Sequence, residues 1–299
     1  MRKKLLFLGC NHNQISYLKL INRKDWKIIG VDINKDAPGA TLCDKFYNVG
    51  YDNLIGLIEL GIKEKFNKHD IVFTAASQFA QKGAAHFCAY FGINYPSEKS
   101  IDLCLNKTLY YKYFANNNIP IPRTWNIKNK NELKMKIKES DSQYFYLKSD
   151  FSKNPNYVYK FKSSNIPWDN IFWGKDRYLR EFYVLQEEVK GTSLRLNIYG
   201  NRFNVFDFLT GKKTLSHHNN IKKLSIIANL NRFMVEQGIE NWLVKFDIIL
   251  STNAYVVLDI GLDPPMRMLK YSRQSNINFE KYYLENYIFN KVEYPNILD

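Results

Sequence analysis

Two short apolar runs near the N-terminus, Leu5–Leu8 and Lys27–Asp32, stand either side of a helix-compatible stretch from Asn13 to Asn22. Strands separated by helical crossovers pair in parallel, because only a long connection returns the chain to the same end of the sheet. Asp70–Thr74 reads as a third strand, a helix is predicted over Gln78–Phe91, and Gly92–Pro96 closes the unit. The first third of the chain therefore predicts a parallel, doubly wound sheet. From Ser97 the apolar spacing predicts a helix to about Asn116, ended by Ile119-Pro120-Ile121-Pro122. Then the texture changes. Tyr144–Ser149, Tyr157–Phe161, Phe182–Gln186, Leu194–Tyr199, Phe203–Phe208, Val244–Leu250 and Tyr255–Ile260 are β-branched or aromatic runs bounded by turn residues. This half reads as α+β with antiparallel strands. No internal repeat or low-complexity segment is evident.

The chain has 299 residues, 45% hydrophobic and 24% charged, a globular composition with enough length for two or three packed lobes. Its 43 basic and 29 acidic residues give a net charge of +14. That excess is spread evenly: up to Pro96 there are 13 basic and 8 acidic residues, and the rest holds 30 and 21. A nucleic-acid footprint is a patch or stripe, so a small anionic ligand such as a nucleotide is the better expectation. Cys10, Cys43, Cys88 and Cys104 form no CxxC pair, which argues against a disulfide framework or structural zinc and fits a reducing cytosol. No apolar run approaches the ~18 residues of a membrane helix. Arg2-Lys3-Lys4 followed by Leu5–Leu8 and Gly9-Cys10 has the outline of a lipoprotein signal. Its apolar part is shorter than the ~7–15 residues such a segment needs, so a first buried strand is expected.

Gly9 after the first strand and Asp32 at the end of the second sketch a dinucleotide-binding turn. The turn reads Gly9-Cys10-Asn11-His12-Asn13-Gln14, without the glycines that admit a pyrophosphate and a close helix. A Rossmann-like sheet that binds no dinucleotide is the favoured reading; an NAD(P)-dependent oxidoreductase is the alternative from another class. His217-His218 are adjacent in an Asn-rich segment, where neighbouring side chains diverge, and are read as loop.

The second half carries more chemistry. Lys107 lies near a helix start, and Lys148 ends the strand Tyr144–Lys148. Val184–Gly191 is an apolar strand entering an acidic turn. Asp247, Asp259 and Asp263 sit at the ends of hydrophobic strands. Lysines for phosphates and hard oxygen ligands for Mg²⁺ are what ATP chemistry requires. Each residue alone has a blander reading: Lys148 as a solvated strand end, Asp259 and Asp263 as turn formers beside Pro264-Pro265, Arg195 as an ion-pair partner.

The order Asn106-Lys107, Ile119–Pro122, Lys148, Gln186–Gly191, Asp247, then Asp259-Ile260-Gly261-Leu262-Asp263-Pro264 resembles the ATP-grasp superfamily over almost the whole chain. Gly191-Thr192-Ser193-Leu194-Arg195-Leu196 looks most like its amino-acid-ligating branch. The resemblance implies an α/β and α+β chain: a Rossmann-like pre-ATP-grasp domain over 1–96, a small ATP-grasp lobe with its linking helix over 97–185, and a large lobe over 186–299. It implies ATP and Mg²⁺, with Lys107 and Lys148 on the phosphates. Glu187 and Val189 would read the adenine edge, with Gln186 and Glu188 beside them. Asp247, Asp259 and Asp263 would hold metal, and Arg195 and Arg267 a phosphoryl group or a substrate carboxylate. The implied enzyme is a cytoplasmic ligase that activates a carboxylate as an acyl phosphate and joins it to an amine. Its partners would be small molecules, neither nucleic acid nor membrane, with a homodimer as one candidate assembly.

Two departures stand out. The family's acid-x-Asn metal pair has Gly261 at the Asn position, which makes Asp263 the expected substitute. The phosphate-covering loop, Ser149–Asn156, holds no glycine and offers Lys153 instead. They keep open a degenerate, non-catalytic nucleotide-binding protein.

Overall fold

A computed structural model describes residues 2–150, 158–168, 171, 183–199, 202–210, 214, 217, 221, 225–263, 280, 281, 283 and 284. The strands are β1 (Lys3–Leu8), β2 (Trp26–Val31), β3 (Lys45–Tyr47), β4 (Ile71–Thr74), β5 (Thr124–Ile127), β6 (Tyr144–Ser149), β7 (Val158–Lys162), β8 (Tyr183–Glu187), β9 (Thr192–Tyr199), β10 (Arg202–Asp207), β11 (Val244–Leu250) and β12 (Tyr255–Gly261). The α-helices are α1 (Ile15–Leu20), α2 (Leu54–Lys63), α3 (Gln78–Phe91), α4 (Glu98–Leu105), α5 (Lys107–Asn116), α6 (Lys130–Lys138) and α7 (Ile226–Glu236).

The first sheet has the order β3-β2-β1-β4, and every pairing in it is parallel. Leu5 and Phe7 pack on one face with Tyr17, Trp26 and Phe73, while Leu6 and Leu8 pack on the other with Leu57, Phe66 and Phe87. A strand covered on both faces is apolar at every position, which explains the unbroken run in β1. Gly9 turns the chain out of β1 with φ +86°, and a Cβ there would lie 2.5 Å from that of Ala76.

The helix expected from Ser97 to Asn116 is two helices. Asn106 is extended (φ −103°, ψ 113°) and its side chain accepts from the Leu109 N–H, so it ends α4 and caps α5. Apolar spacing continues across the break, and for that reason the pattern reads as one helix. The consequence is functional: Lys107 becomes the first residue of a helix.

The other two sheets are antiparallel, in the orders β5-β8-β6-β7 and β10-β9-β11-β12. Helix α6 covers the former, packing Leu133 and Ile137 on Phe145, Leu147 and Leu185. The latter shares a core with α4, α5 and α7, including Ile101, Tyr110, Phe114, Leu196, Phe233 and Phe246. Strand β8 runs to Glu187, two residues past the expected lobe boundary, and only residues 188–191 separate it from β9 in the other sheet. Strands β3 and β5 and helices α2, α6 and α7 went unread in the sequence, the strands being only three and four residues long.

Candidate functional site

Asp150 ties the end of β6 to the start of α5. Its carbonyl accepts from the Lys107 N–H at 3.2 Å, and its carboxylate accepts from the Thr108 N–H at 2.8 Å and hydroxyl at 2.9 Å. This clasp brings together two lysines 41 positions apart in sequence. Lys107 is buried at 7% exposure. Along β6, Phe145 and Leu147 point into the α6 core, so Lys148 points the opposite way, beside its register partner Val184, which packs in the core of the third sheet. Burial pushes the Lys148 ammonium down to about 8; Asp259 opposes that shift, Lys107 adds to it, and Asp247 opposes it more weakly.

Facing these lysines is a row of charged residues set by strand register. Arg195 on β9 lies opposite Asp247 on β11, which lies opposite Asp259 on β12. Lys245, two residues before Asp247 and therefore on the same face, lies opposite Gly261. Arg195 Nε and Nη2 donate to the two Asp247 oxygens at 2.6 and 2.7 Å, with the side chains only 14% and 11% exposed. Burial pushes the Asp247 carboxyl up against the pull of Arg195; burial also works against the Arg195 charge, but the pairing prevails and raises it. The guanidinium also lies 5.2 Å from the Phe208 ring centre. The Tyr110 hydroxyl donates to Asp259 at 2.9 Å, and the Tyr111 hydroxyl donates to the Leu258 carbonyl. Lys245 Nζ donates to Asp263 at 2.9 Å.

The expected metal set does not form a cradle. Asp247 has both oxygens on a guanidinium and Asp263 has one on an ammonium, so their negative charge is already balanced within the chain. Among the described residues no group of three or more His, Cys, Asp or Glu side chains is placed to hold a metal ion. As they are paired, Asp247 and Asp263 do not fit Mg²⁺, which takes near-octahedral oxygens at ~2.0–2.1 Å. Asp263, expected to replace the family's Asn, is turned to Lys245 instead.

Gln186 is buried and its amide donates to Thr124 Oγ1 at 3.1 Å. Glu187 accepts from Ser140 at 2.5 Å and pairs with Arg123 at 3.4 Å, while Glu188 pairs with Lys160 at 2.5 Å. The Glu187 and Glu188 N–H groups go to the Arg123 and Tyr144 carbonyls. Val189 follows, half-buried, in the connection between the antiparallel sheets. Arg267, residues 151–156 with Lys153, His218, Pro264 and Pro265 lie outside the described residues. Lys245, Tyr110, Tyr111, Gln78 and Gln81 went unread in the sequence. For Lys245 a signal existed, its i−2 position on the Asp247 strand; for the others, contact across more than 140 residues leaves none. Gln78 and Gln81 on α3 donate to the Ile260 and Leu262 carbonyls at 3.4 and 3.3 Å, pinning the end of β12 to the first lobe.

The turn after β1 is built differently from a dinucleotide site. Asp32 accepts from the Cys10 N–H at 2.7 Å and the Asn34 N–H at 2.9 Å, so its carboxylate holds the turn together rather than facing outward to a ribose.

No protein-family model and no curated protein matches this sequence. Solved structures do match. The biotin carboxylase domain of 2-oxoglutarate carboxylase from Hydrogenobacter thermophilus, in complex with MgADP, ADP and bicarbonate, is similar with a TM-score of 0.74 and 12% identity over 98% of this chain and 71% of that one. L-amino acid ligase from Bacillus licheniformis gives 0.69 and 12% over 96% and 74%. N5-carboxyaminoimidazole ribonucleotide synthetase from Thermotoga maritima gives 0.66 and 15% over 95% and 76%. Two antiparallel sheets joined at residues 188–191 after a parallel first sheet, matched over nearly the full chain to such enzymes, are the ATP-grasp fold, and this chain has it.

Proposed function

We propose that this protein is an ATP-dependent ligase that activates a carboxylate as an acyl phosphate and joins it to an amine, with amino-acid-like substrates. The observation that carries the reading is that Lys148 lies close enough to Lys107, Asp259 and Asp247 to feel the charge of all three, with Arg195 paired to Asp247 in the same row. Two buried or half-buried ammonium groups at one place favour a polyanion such as a triphosphate. The parallel order β3-β2-β1-β4 supports treating residues 1–96 as a Rossmann-like pre-ATP-grasp domain, followed by lobes over 97–185 and 186–299.

In this reading Lys107 and Lys148 hold the phosphates. The Glu187 carbonyl and Val189 N–H meet the adenine edge, with Gln186 and Glu188 beside them. Arg195 and Arg267 orient the transferring phosphoryl group or the substrate carboxylate. The protein contributes position and charge rather than a nucleophile. A Mg²⁺ ion belongs to the chemistry of this fold, but Asp247 and Asp263, already paired with Arg195 and Lys245, do not fit it, and none of these roles depends on one. Solution in the cytoplasm and a homodimeric assembly belong to the same proposal; among the described residues no helix is long and apolar enough to cross a membrane.

A second reading, a nucleotide-binding protein without transfer chemistry, is favoured by Gly261 and by the cations already seated on Asp247 and Asp263. The experiment is a calorimetric ATP titration of the parent and Lys148→Ala, followed by phosphate release in the presence of pooled amino acids. Lys148→Ala is expected to weaken ATP binding by ~1.5–3 kcal/mol, the worth of a hydrogen bond to a charged group. Unchanged affinity removes Lys148 from the site. Binding without phosphate release in any amino-acid pool selects the second reading.

A further inference from the structure

Two side chains fill the space beside Gly261. A Cβ there would overlap Lys245 Cε and Gln78 Nε2, and would come within 3.1 Å of Asp263 Oδ1. Gln78 is buried at 2%, and its Oε1 has no hydrogen-bond partner. Lys245 thus runs along the sheet face into the corner between Asp247, Gly261 and Asp263, its side chain 14% exposed and its Nζ 2.9 Å from Asp263. Beside it the Arg195 guanidinium occupies both oxygens of Asp247. Two fixed cations therefore stand among the very carboxylates to which the fold resemblance assigns a divalent metal.

We propose that Lys245, supported by Arg195, takes the charge-neutralising place of a divalent cation at this site, so that the protein binds the phosphates of a nucleoside di- or triphosphate with no need for metal. This rests on the nucleotide-binding reading above and deepens it. An ammonium carries three donors and no acceptor. One N–H is given to Asp263, and the others can meet phosphate oxygens, so the group bridges carboxylate and phosphate as a metal would. Lys107 and Lys148 add positive charge nearby, Lys148 close enough to Asp259 and Asp247 to feel both. Seating Mg²⁺ on Asp247 would require stripping Arg195 from it and leaving a buried guanidinium uncompensated, which is strongly unfavourable. Gly261 completes the arrangement: the residue that would supply a metal-binding oxygen is absent, and the lysine stem lies in its space.

The test is calorimetry of the full chain with ATP, once in excess EDTA and once in excess Mg²⁺, for the parent and for Lys245→Met, which keeps the length of the stem and removes the charge. The parent is expected to bind ATP about equally in both. The variant is expected to lose at least about tenfold in EDTA, the size of one charge-assisted hydrogen bond, and to recover part of that loss with Mg²⁺. A parent that binds ATP only when Mg²⁺ is present overturns the inference and leaves the nucleotide site standing. A variant that melts like the parent and binds equally well in EDTA also overturns it. No ATP binding by the parent in either condition overturns the nucleotide reading, and the inference with it. Because the EDTA comparison on the parent needs no substitution, an unfolded variant does not blunt the test.

Discussion

Arg195 holds both carboxylate oxygens of Asp247, at 2.6 and 2.7 Å, from the directly opposite position on the neighbouring strand. The pair is bidentate and nearly out of solvent, so it is worth more to the fold than an exposed ion pair. Removing one partner strands the other. Arg195→Met is expected to lower stability by about 3 kcal/mol, the lower end for breaking a buried pair. Arg195→Met with Asp247→Leu should recover most of that loss, since no lone charge remains. Urea unfolding of the single and double variants checks it; a single variant as stable as the parent would show that the pair contributes little.

The Lys148 ammonium gives the site a pH dependence. Its value in the folded protein is about 8, below the ordinary 10.5, chiefly through burial. Between those values the unfolded chain binds more protons than the folded one, so the stability contribution of Lys148 rises with pH. Nucleotide binding runs the other way, because the charged form meets the phosphates. ATP affinity is expected to fall between about pH 7 and about pH 9, and Lys148→Arg, which stays charged, should flatten that fall. Equal slopes for parent and variant would assign the pH dependence elsewhere.

Gly191 governs the connection between the two antiparallel sheets. Its φ is +155°, and a Cβ would lie 2.6 Å from both Ile249 Cγ2 and the Leu250 carbonyl oxygen. Gly191→Ala is expected to cost about 1–3 kcal/mol through strain and crowding, and to lower ATP affinity as the hinge shifts away from β11. Thermal melts and the same calorimetry measure both effects. A variant with the parent's melting temperature would show that the hinge relaxes freely.

Glu64, at the end of α2, anchors the first lobe. Burial raises its carboxyl, but Lys45 at 2.6 Å, Tyr47 at 2.5 Å and Lys27 at 3.0 Å outweigh that and pull it down to about 2. A depressed carboxyl contributes stability above its ordinary value near 4.5 and loses it as pH falls through about 2. Urea unfolding is therefore expected to show the parent losing more stability between about pH 6 and about pH 3 than Glu64→Gln does. Parallel losses would remove Glu64 as the source of acid sensitivity.

What the sequence by itself determined is what lies in short-range pattern. Unbroken apolar runs such as Leu5–Leu8 fixed strands buried on two faces, aromatic and β-branched runs such as Val244–Leu250 fixed strands of the antiparallel half, and the Gln78–Phe91 pattern closed by Gly92 matched α3. The order of Lys107, Lys148, Gln186–Gly191 and the aspartates was enough to suggest the fold. Tertiary structure alone decided what those residues do to each other. Which side chain neutralises which carboxylate depends on register between β9, β11 and β12, and register is set by burial of the opposite face, with Leu196, Phe246 and Ile260 in the core. That register puts Arg195 on Asp247 and Lys245 beside Gly261. It turns two of the three aspartates that read as a metal site, Asp247 and Asp263, into carboxylates already balanced by the chain, because a charge taken out of water must find its partner nearby, and here Arg195 and Lys245 supply one.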